Sequence, residues 1–162
     1  MSSAKRSGAK SNGLEFETEN VMKIFRSVLL VLALATSSAA YSAEEAVKVV
    51  YHLTAGIEEA ARAMRNIRNH LDADPTAKIV VVTNGAGIDF LLEGAEFGKG
   101  SKFAGPIGEL ANRGVDFRVC QNTLTTREIA PDRVAMEAKV VPSGVAEAAR
   151  LQAREKFVYL RP

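Results

Sequence analysis

The chain has 162 residues, of which 47% are hydrophobic, a size that suits one compact domain and is small for two. Residues 1–40 hold five of the 21 Lys and Arg and three of the 19 Asp and Glu, which leaves sixteen of each in residues 41–162. A neutral domain without tryptophan has neither a basic surface nor stacking platforms, so nucleic acid is excluded as an expected partner.

The N-terminal 40 residues change character at Met22. Residues 1–21 are polar and are predicted to be a disordered extension. Residues 22–40 have the order of a signal peptide: a basic start, an apolar run over Val28–Ala35 and small residues up to Ala40. Met22 is therefore the expected functional start, and a periplasmic or secreted domain 41–162 is expected after cleavage. The apolar run is shorter than the ~20 residues that span a bilayer, so no stable membrane span is expected.

The first part of the mature chain is predicted to be strand, helix, strand. Val47–Leu53 is β-branched and aromatic, which favours a buried strand. Apolar residues recur every three or four positions from Ile57 to Leu71, which predicts an amphipathic helix ended by Asp72–Pro75. Lys78–Asn84 is almost continuously apolar, as in a parallel strand covered on both faces.

The middle of the chain is rich in glycine. Gly85–Gly87 interrupts the second strand, and Ile88–Glu93 is predicted to be a short helix. Gly94–Ser101 is predicted to be a loop. The apolar spacing from Phe103 to Ala111 predicts another helix, ended by Gly114 at the position after its C-cap.

The last third completes an alternating pattern. Its predicted elements are, in chain order, a strand at Val115–Cys120, an irregular or helical stretch to Met136, a strand at Ala138–Val141, a helix over Gly144–Arg154 with Ser143 as its N-cap, and a strand at Phe157–Leu160. Five strands that alternate with helices predict a single compact three-layer α/β domain with a mostly parallel five-stranded sheet.

Candidate functional residues follow the predicted strands. His52, Asn84, Cys120 and Ser143 all lie at or near strand ends. In an open parallel sheet, ligands bind outside the carboxyl ends of the strands. We therefore expect the site at that edge of the sheet.

Cys120 is the single cysteine of the chain, so no internal disulfide can form. One interpretation is a reactive thiolate, with Asn122 or Thr123 capping a helix start beside it and Arg127 approaching it. The other is a buried thiol that acts as a small hydrophobic side chain.

His52 is either a base or orienting group near Cys120, if their strands are neighbours, or a histidine with a structural hydrogen bond. Two histidines and one cysteine without local pairing predict no metal site. Gly85–Gly87 lacks the third glycine of a dinucleotide loop, so no cofactor is expected.

The segment Gly114–Leu124, a Gly-Val turn and a short strand that ends in Cys and small polar residues, resembles the cysteine segment of the DsrE/DsrF-like family. That family includes sulfur-relay and YchN-like proteins. The helix end Asn66–Leu71 and the segments Val140–Glu147 and Tyr159–Pro162 are similar to its exported branch.

The resemblance implies an α/β subunit of the DsrE/YchN-like fold that assembles as trimers or hexamers. It also implies that Cys120 carries sulfane sulfur as a persulfide, between a sulfur donor and an acceptor thiol on a protein or small molecule. The chain departs from the sulfur-relay members at Thr125–Glu128 and in its export signal. Without a second cysteine to resolve the persulfide, an external acceptor is required, so a carrier is a better description than a turnover enzyme.

Two alternatives remain at this stage. One is a non-catalytic homo-oligomeric module that binds small molecules or acts as a scaffold, with Cys120 buried and a pocket near Asn84 and His52. The other is a cysteine-dependent hydrolase, for which no base can be assigned.

Overall fold

The computed structural model describes residues 22–23 and 45–162, and residues 45–162 form a unit of their own. The predicted extension 1–21 and nearly all of the predicted signal peptide lie outside the described residues. The elements are, in chain order, β1 (Lys48–Leu53), α1 (Ile57–Ala73), β2 (Lys78–Thr83), a 3₁₀ helix (Gly85–Leu91), β3 (Glu96–Phe97), β4 (Ser101–Lys102), α2 (Ala104–Asn112), β5 (Asp116–Cys120), α3 (Gln121–Thr126), a second 3₁₀ helix (Pro131–Arg133), β6 (Ala138–Val141), α4 (Gly144–Glu155) and β7 (Val158–Leu160).

Five strands form one sheet in the order β6-β5-β2-β1-β7, and every pairing between them is parallel. The predicted α/β domain with its five-stranded sheet is therefore confirmed. In such a sheet all strands end at the same edge, which brings the residues after β1, β2, β5 and β6 to one side of the domain.

The two faces of the sheet have separate apolar cores because successive side chains of a strand alternate between faces. On β1, Val49 and Tyr51 belong to the larger core, which includes Met64 and Ile67 of α1. Val50 instead packs in the smaller core. That smaller core is built with α4, and its members are Val50, Val80, Val82, Ala148, Leu151 and Phe157. The sheet therefore has helices on both faces, which makes three layers.

The turn between β1 and α1 depends on a buried carboxylate. Glu59 is 3% exposed, and its Oε2 accepts hydrogen bonds from the backbone N–H groups of Thr54 and Ala55, each at 2.6 Å. These N–H groups precede the helix and have no partner within it. The carboxylate therefore fixes the chain where it leaves the carboxyl end of β1.

The predicted helix termini at Gly114 and Ser143 are confirmed. Gly114 has a φ of 91° and donates to the carbonyl of Ala111. Val115 donates to the carbonyl of Leu110, which completes a Schellman motif. At the start of α4, Ser143 Oγ accepts from the backbone N–H of Ala146 at 3.4 Å, as an N-cap does.

In three segments the observed secondary structure differs in detail from the prediction. The predicted loop Gly94–Ser101 contains a short antiparallel hairpin, β3–β4, because Gly98 and Gly100 adopt positive φ and allow a tight turn. The short helix predicted at Ile88–Glu93 is the 3₁₀ helix Gly85–Leu91, which begins directly after β2. The stretch after Cys120, predicted to be irregular or helical, is α3, a connection and a second 3₁₀ helix.

Candidate functional site

A cavity of about 350 Å³ opens at the carboxyl edge of the sheet, where β2, β5 and β6 end. Its lining combines polar side chains with one thiol and one cation: Asn84, Gly85, Cys120, Asn122, Thr123, Thr126, Arg127, Ser143 and Val145. The structure thus brings together the predicted residues Asn84, Cys120, Asn122 and Arg127, together with Ser143. No carboxylate is among these lining residues, so the cavity favours an uncharged or anionic ligand.

Cys120 is the last residue of β5 and the N-cap residue of α3. Its neighbour Val119 points into the larger core, so Cys120 lies on the opposite face of the sheet, towards α4. The residue is 5% exposed, and that exposure opens onto the cavity. The thiol is therefore shielded from bulk solvent but accessible to a small ligand in the cavity.

The surroundings of Cys120 favour its thiolate form. Burial opposes ionisation, but the polar N–H groups of Gly144, Thr123 and Asn122 and the hydroxyl of Thr123 surround the sulfur and stabilise its negative charge. These polar groups outweigh burial and lower the pKa of Cys120 below its ordinary value. The donors lie at the first residues of α3 and α4, where backbone N–H groups have no intrahelical acceptor.

Gly144 lies so close to Cys120 that a side chain would be crowded. A Cβ atom built on Gly144 would lie 3.0 Å from the carbonyl oxygen of Thr83 and 3.2 Å from Cys120 Cβ. It would also lie 3.3 Å from Asn84 Cβ. The missing side chain allows the first turn of α4 to approach the thiol and to direct a backbone N–H at it.

Arg118 and Glu147 hold α4 against this part of the sheet. Arg118, on β5 two residues before Cys120, donates to Glu147 of α4 through Nη1. Its Nη2 donates to Asp116 Oδ2 at 2.8 Å. Arg150 also pairs with Glu147 at 2.8 Å, so the carboxylate is held from two sides. These pairs anchor the helix whose first residue contacts the thiol.

Asn122 and Thr123 do not cap a helix after Cys120, contrary to the prediction. The helix starts one residue after Cys120, so both side chains lie in its first turn, and Cys120 occupies the cap position. Thr123 Oγ1 accepts from the backbone N–H of Gly85 at 3.0 Å, which ties α3 to the loop after β2. The hydroxyl proton of Thr123 remains available to the thiol.

Arg127 reaches the cavity but is paired elsewhere. Its Nη1 donates to Asp89 Oδ1 at 2.6 Å and to the carbonyl oxygen of Gly85 at 3.2 Å. No hydrogen bond joins Arg127 to Cys120 in the described part of the chain. Arg127 therefore contributes positive charge to the rim of the cavity and ties the end of α3 to the 3₁₀ helix.

His52 does not lie beside Cys120, because β2 separates β1 from β5. In the strand register His52 pairs with Val82, which pairs with Arg118, so His52 also lies two residues below the row of Cys120. His52 is 8% exposed and contacts Asn84 and Tyr159 instead. It is therefore not placed to act directly as a base for Cys120.

Residues 22–23 and 45–162 contain neither a metal-binding cluster nor a membrane-spanning helix. No group of three or more His, Cys, Asp or Glu side chains is arranged to hold a metal ion there. Nor does this part of the chain include a helix of the length and apolarity needed to cross a bilayer.

Comparison with solved structures places this arrangement among related folds. The chain is similar to a protein of unknown function, MTH1491, from Methanobacterium thermoautotrophicum, with 29% identity and a TM-score of 0.64 over 72% of this chain and 99% of that one. It is also similar to the ychN protein from E. coli, with a TM-score of 0.56 over 72% of this chain and 100% of that one. The 14% identity to the second protein supports the shared fold alone.

Sequence comparison identifies the family. No curated protein matches the chain. The model of the DsrE/DsrF-like family, in contrast, matches residues 30–158, which include the whole sheet except part of its last strand. Because this match covers well over half of the chain, the protein belongs to the DsrE/DsrF-like family.

Proposed function

We propose that this protein is an exported sulfur carrier that binds sulfane sulfur as a persulfide on Cys120 and passes it to an external thiol. The observation that carries the proposal is the placement of Cys120 at the cavity, where backbone N–H groups of Gly144, Thr123 and Asn122 lower its pKa. Membership of the DsrE/DsrF-like family supports it, since Cys120 matches the sulfur-bearing position in the resemblance to sulfur-relay members.

The loading step is a thiol exchange at sulfur. The Cys120 thiolate attacks a terminal sulfur of an inorganic polysulfide, and a new S–S bond forms while the donor's S–S bond breaks. The electron pair leaves with a polysulfide that is one sulfur shorter, and the proton of the thiol has already passed to solvent. The cysteine sulfur is oxidised and the leaving sulfur is reduced by the same amount.

The unloading step reverses the roles. An acceptor thiolate attacks the outer sulfur, the S–S bond to Cys120 breaks, and the Cys120 thiolate leaves with the electron pair. A thiol of low pKa leaves faster, so the donors that activate Cys120 for loading also favour release. The cavity of about 350 Å³ accommodates small sulfur species beside the thiol.

Sulfur loading can be measured directly by intact-mass spectrometry. The full chain is expressed in a bacterial host and recovered from the periplasm. The protein is then incubated with polysulfide without reductant, and its intact mass is measured. We expect a gain of about one sulfur atom, ~32 Da, that dithiothreitol removes. The mass of the unloaded protein also reports export, because cleavage after Ala40 leaves a chain that starts at Tyr41.

The matched control is Cys120→Ser, which removes the nucleophile and retains a small side chain. We expect this variant to remain folded and to gain no sulfur. An unmodified wild-type protein whose thiol reacts with a thiol-specific dye only after denaturation would reject the carrier function. It would favour the alternative of a binding or scaffolding module with an inert Cys120.

Self-association is part of the proposal. β7 lies at one edge of the sheet, and its residues Val158, Tyr159 and Leu160 are all exposed. An apolar edge strand is normally covered in native proteins, because it offers unpaired backbone groups to other chains. We expect a trimer or hexamer in sedimentation velocity experiments, and a monomer throughout the micromolar range would contradict this part of the proposal.

A further inference from the structure

A chain of hydrogen-bonded side chains runs from the surface to the Cys120 cavity. Tyr159, exposed on β7, contacts His52 Nδ1 through its hydroxyl at 2.9 Å. His52 Nε2 contacts Asn84 Oδ1 at 2.7 Å. Asn84 follows β2 directly and lines the cavity. The three residues therefore connect the edge of the sheet to the site, although His52 itself does not line it.

The direction of each hydrogen bond follows from the chemistry of the groups. A side-chain carbonyl oxygen only accepts, so His52 Nε2 carries the proton and donates it to Asn84 Oδ1. In the neutral ring Nδ1 is then the acceptor, and the Tyr159 hydroxyl donates to it. The Asn84 carbonyl therefore fixes the ring tautomer, and the Tyr159 hydroxyl stabilises that tautomer by donating to Nδ1.

The other end of the amide is available to a ligand. Within the described residues no group accepts a hydrogen bond from Asn84 Nδ2, although the residue lines the cavity. Asn84 Cβ and Cys120 Cβ both lie within 3.3 Å of the same point, the position of a Cβ atom on Gly144. The side chains of Asn84 and Cys120 therefore begin at neighbouring positions of the cavity wall, and Nδ2 is the end of the Asn84 amide that His52 does not hold.

We infer that Asn84 donates a hydrogen bond to the outer sulfur of a Cys120 persulfide, and that His52 and Tyr159 position its amide for that contact. The inference rests on the proposed sulfur chemistry. An outer sulfur lies one S–S bond, about 2.05 Å, beyond Cys120 Sγ, in the cavity that Asn84 lines. Asn84 makes no hydrogen bond to the unloaded thiol among the described residues, so the inferred contact belongs to the loaded form.

The test measures the polysulfide concentration that loads half of the protein, by intact mass. Asn84→Ala removes the donor, and we expect its half-loading concentration to rise about tenfold, since a hydrogen bond to a charged group is lost. Tyr159→Phe removes only the hydroxyl that holds the His52 ring through Nδ1, and we expect a rise of about threefold. The rate of alkylation of the unloaded thiol as a function of pH should be the same in Tyr159→Phe as in the wild type.

Tyr51→Phe is the matched control, because Tyr51 makes the equivalent contact to the other histidine. Its hydroxyl lies 3.1 Å from His70 Nδ1, on the opposite face of the sheet. We expect this variant to load like the wild type.

Three results would overturn the inference. Equal half-loading concentrations in the wild type, Asn84→Ala and Tyr159→Phe would reject it while leaving the carrier function intact. An equal rise in the half-loading concentration of Tyr159→Phe and Tyr51→Phe would show that loss of a tyrosine hydroxyl acts through the stability of the fold and not through Asn84. A wild type that takes up no sulfur would remove the carrier function and this inference together.

Discussion

Replacing Gly87 with alanine is expected to lower the free energy of unfolding by about 3 kcal/mol or more. A Cβ atom at Gly87 would lie 2.1 Å from the carbonyl oxygen of Leu53 and 2.7 Å from the backbone nitrogen of Thr54. Both are backbone atoms at the end of β1, so they cannot move aside as a flexible side chain would. The strand or the 3₁₀ helix must shift, and both contribute to the core.

The measurement is urea denaturation, and Gly105→Ala is the control. Gly105 lies in α2, and a Cβ atom there would have nothing within 4 Å. Alanine in a helix is favoured over glycine, so we expect this variant to gain about 0.5–1 kcal/mol of stability. Wild-type stability in Gly87→Ala would show that the end of β1 yields to the new methyl group, contrary to the close packing seen here.

Gly87 also connects fold to function. Its backbone N–H donates to the carbonyl oxygen of Asn84 at 3.0 Å, which starts the 3₁₀ helix directly after β2. The same turn presents Gly85 to Thr123 and Arg127. The packing of Gly87 against Leu53 therefore holds the wall of the cavity that Asn84 and Gly85 form.

The main elements of the fold could be predicted from local patterns. Val47–Leu53 is rich in β-branched and aromatic residues, and Lys78–Asn84 is almost continuously apolar. The apolar residues of α1 recur every three or four positions, so these patterns predict both strands and the helix to within two residues. Gly114 can adopt the positive φ of its helix end because it lacks a side chain, and the Ser143 hydroxyl suits an N-cap. The order of the strands depends on pairings between distant segments, which no local pattern encodes.

The position of His52 shows why the geometry of the site could not be predicted from the sequence. Its place at the end of a strand was evident, but its distance from Cys120 depends on β2 lying between their strands. Likewise, the role of Tyr159 depends on the pairing of β7 with β1, two segments more than a hundred residues apart. Gly144 offered a weak local signal, a glycine directly after an N-cap serine, but its contact with Cys120 follows from the packing of α4 on β5.

Replacing Gly144 with alanine is expected to raise the pKa of Cys120 and to slow its alkylation near neutral pH about fivefold. The new methyl group would lie 3.0–3.3 Å from Thr83, Cys120 and Asn84. To relieve these contacts the first turn of α4 must move away, and the Gly144 N–H that lowers the pKa of Cys120 moves with it. A smaller thiolate fraction then reacts at each pH below the pKa.

The pH dependence of stability gives an independent check on the same contact. The pKa of Cys120 is lower in the native chain than in the unfolded chain, so ionisation contributes stability that is fully present above the unfolded pKa of about 8.5. That contribution is lost as the pH falls through the native pKa. The difference in stability between the wild type and Cys120→Ser should therefore grow as the pH rises, and Gly144→Ala should reduce this growth.

Gly108→Ala separates the contact with the thiol from the general effect of adding a methyl group to a helix. Gly108 lies in α2, where a Cβ atom would have only Glu137 Oε1 nearby, at 3.7 Å. We expect Gly108→Ala to retain the wild-type dependence of the alkylation rate on pH. In Gly144→Ala, the midpoint of that dependence should move to higher pH. If the midpoint pH of alkylation in Gly144→Ala equals that of the wild type, the backbone N–H groups of α3 alone stabilise the thiolate. The close approach of α4 would then contribute to packing and not to the chemistry of Cys120.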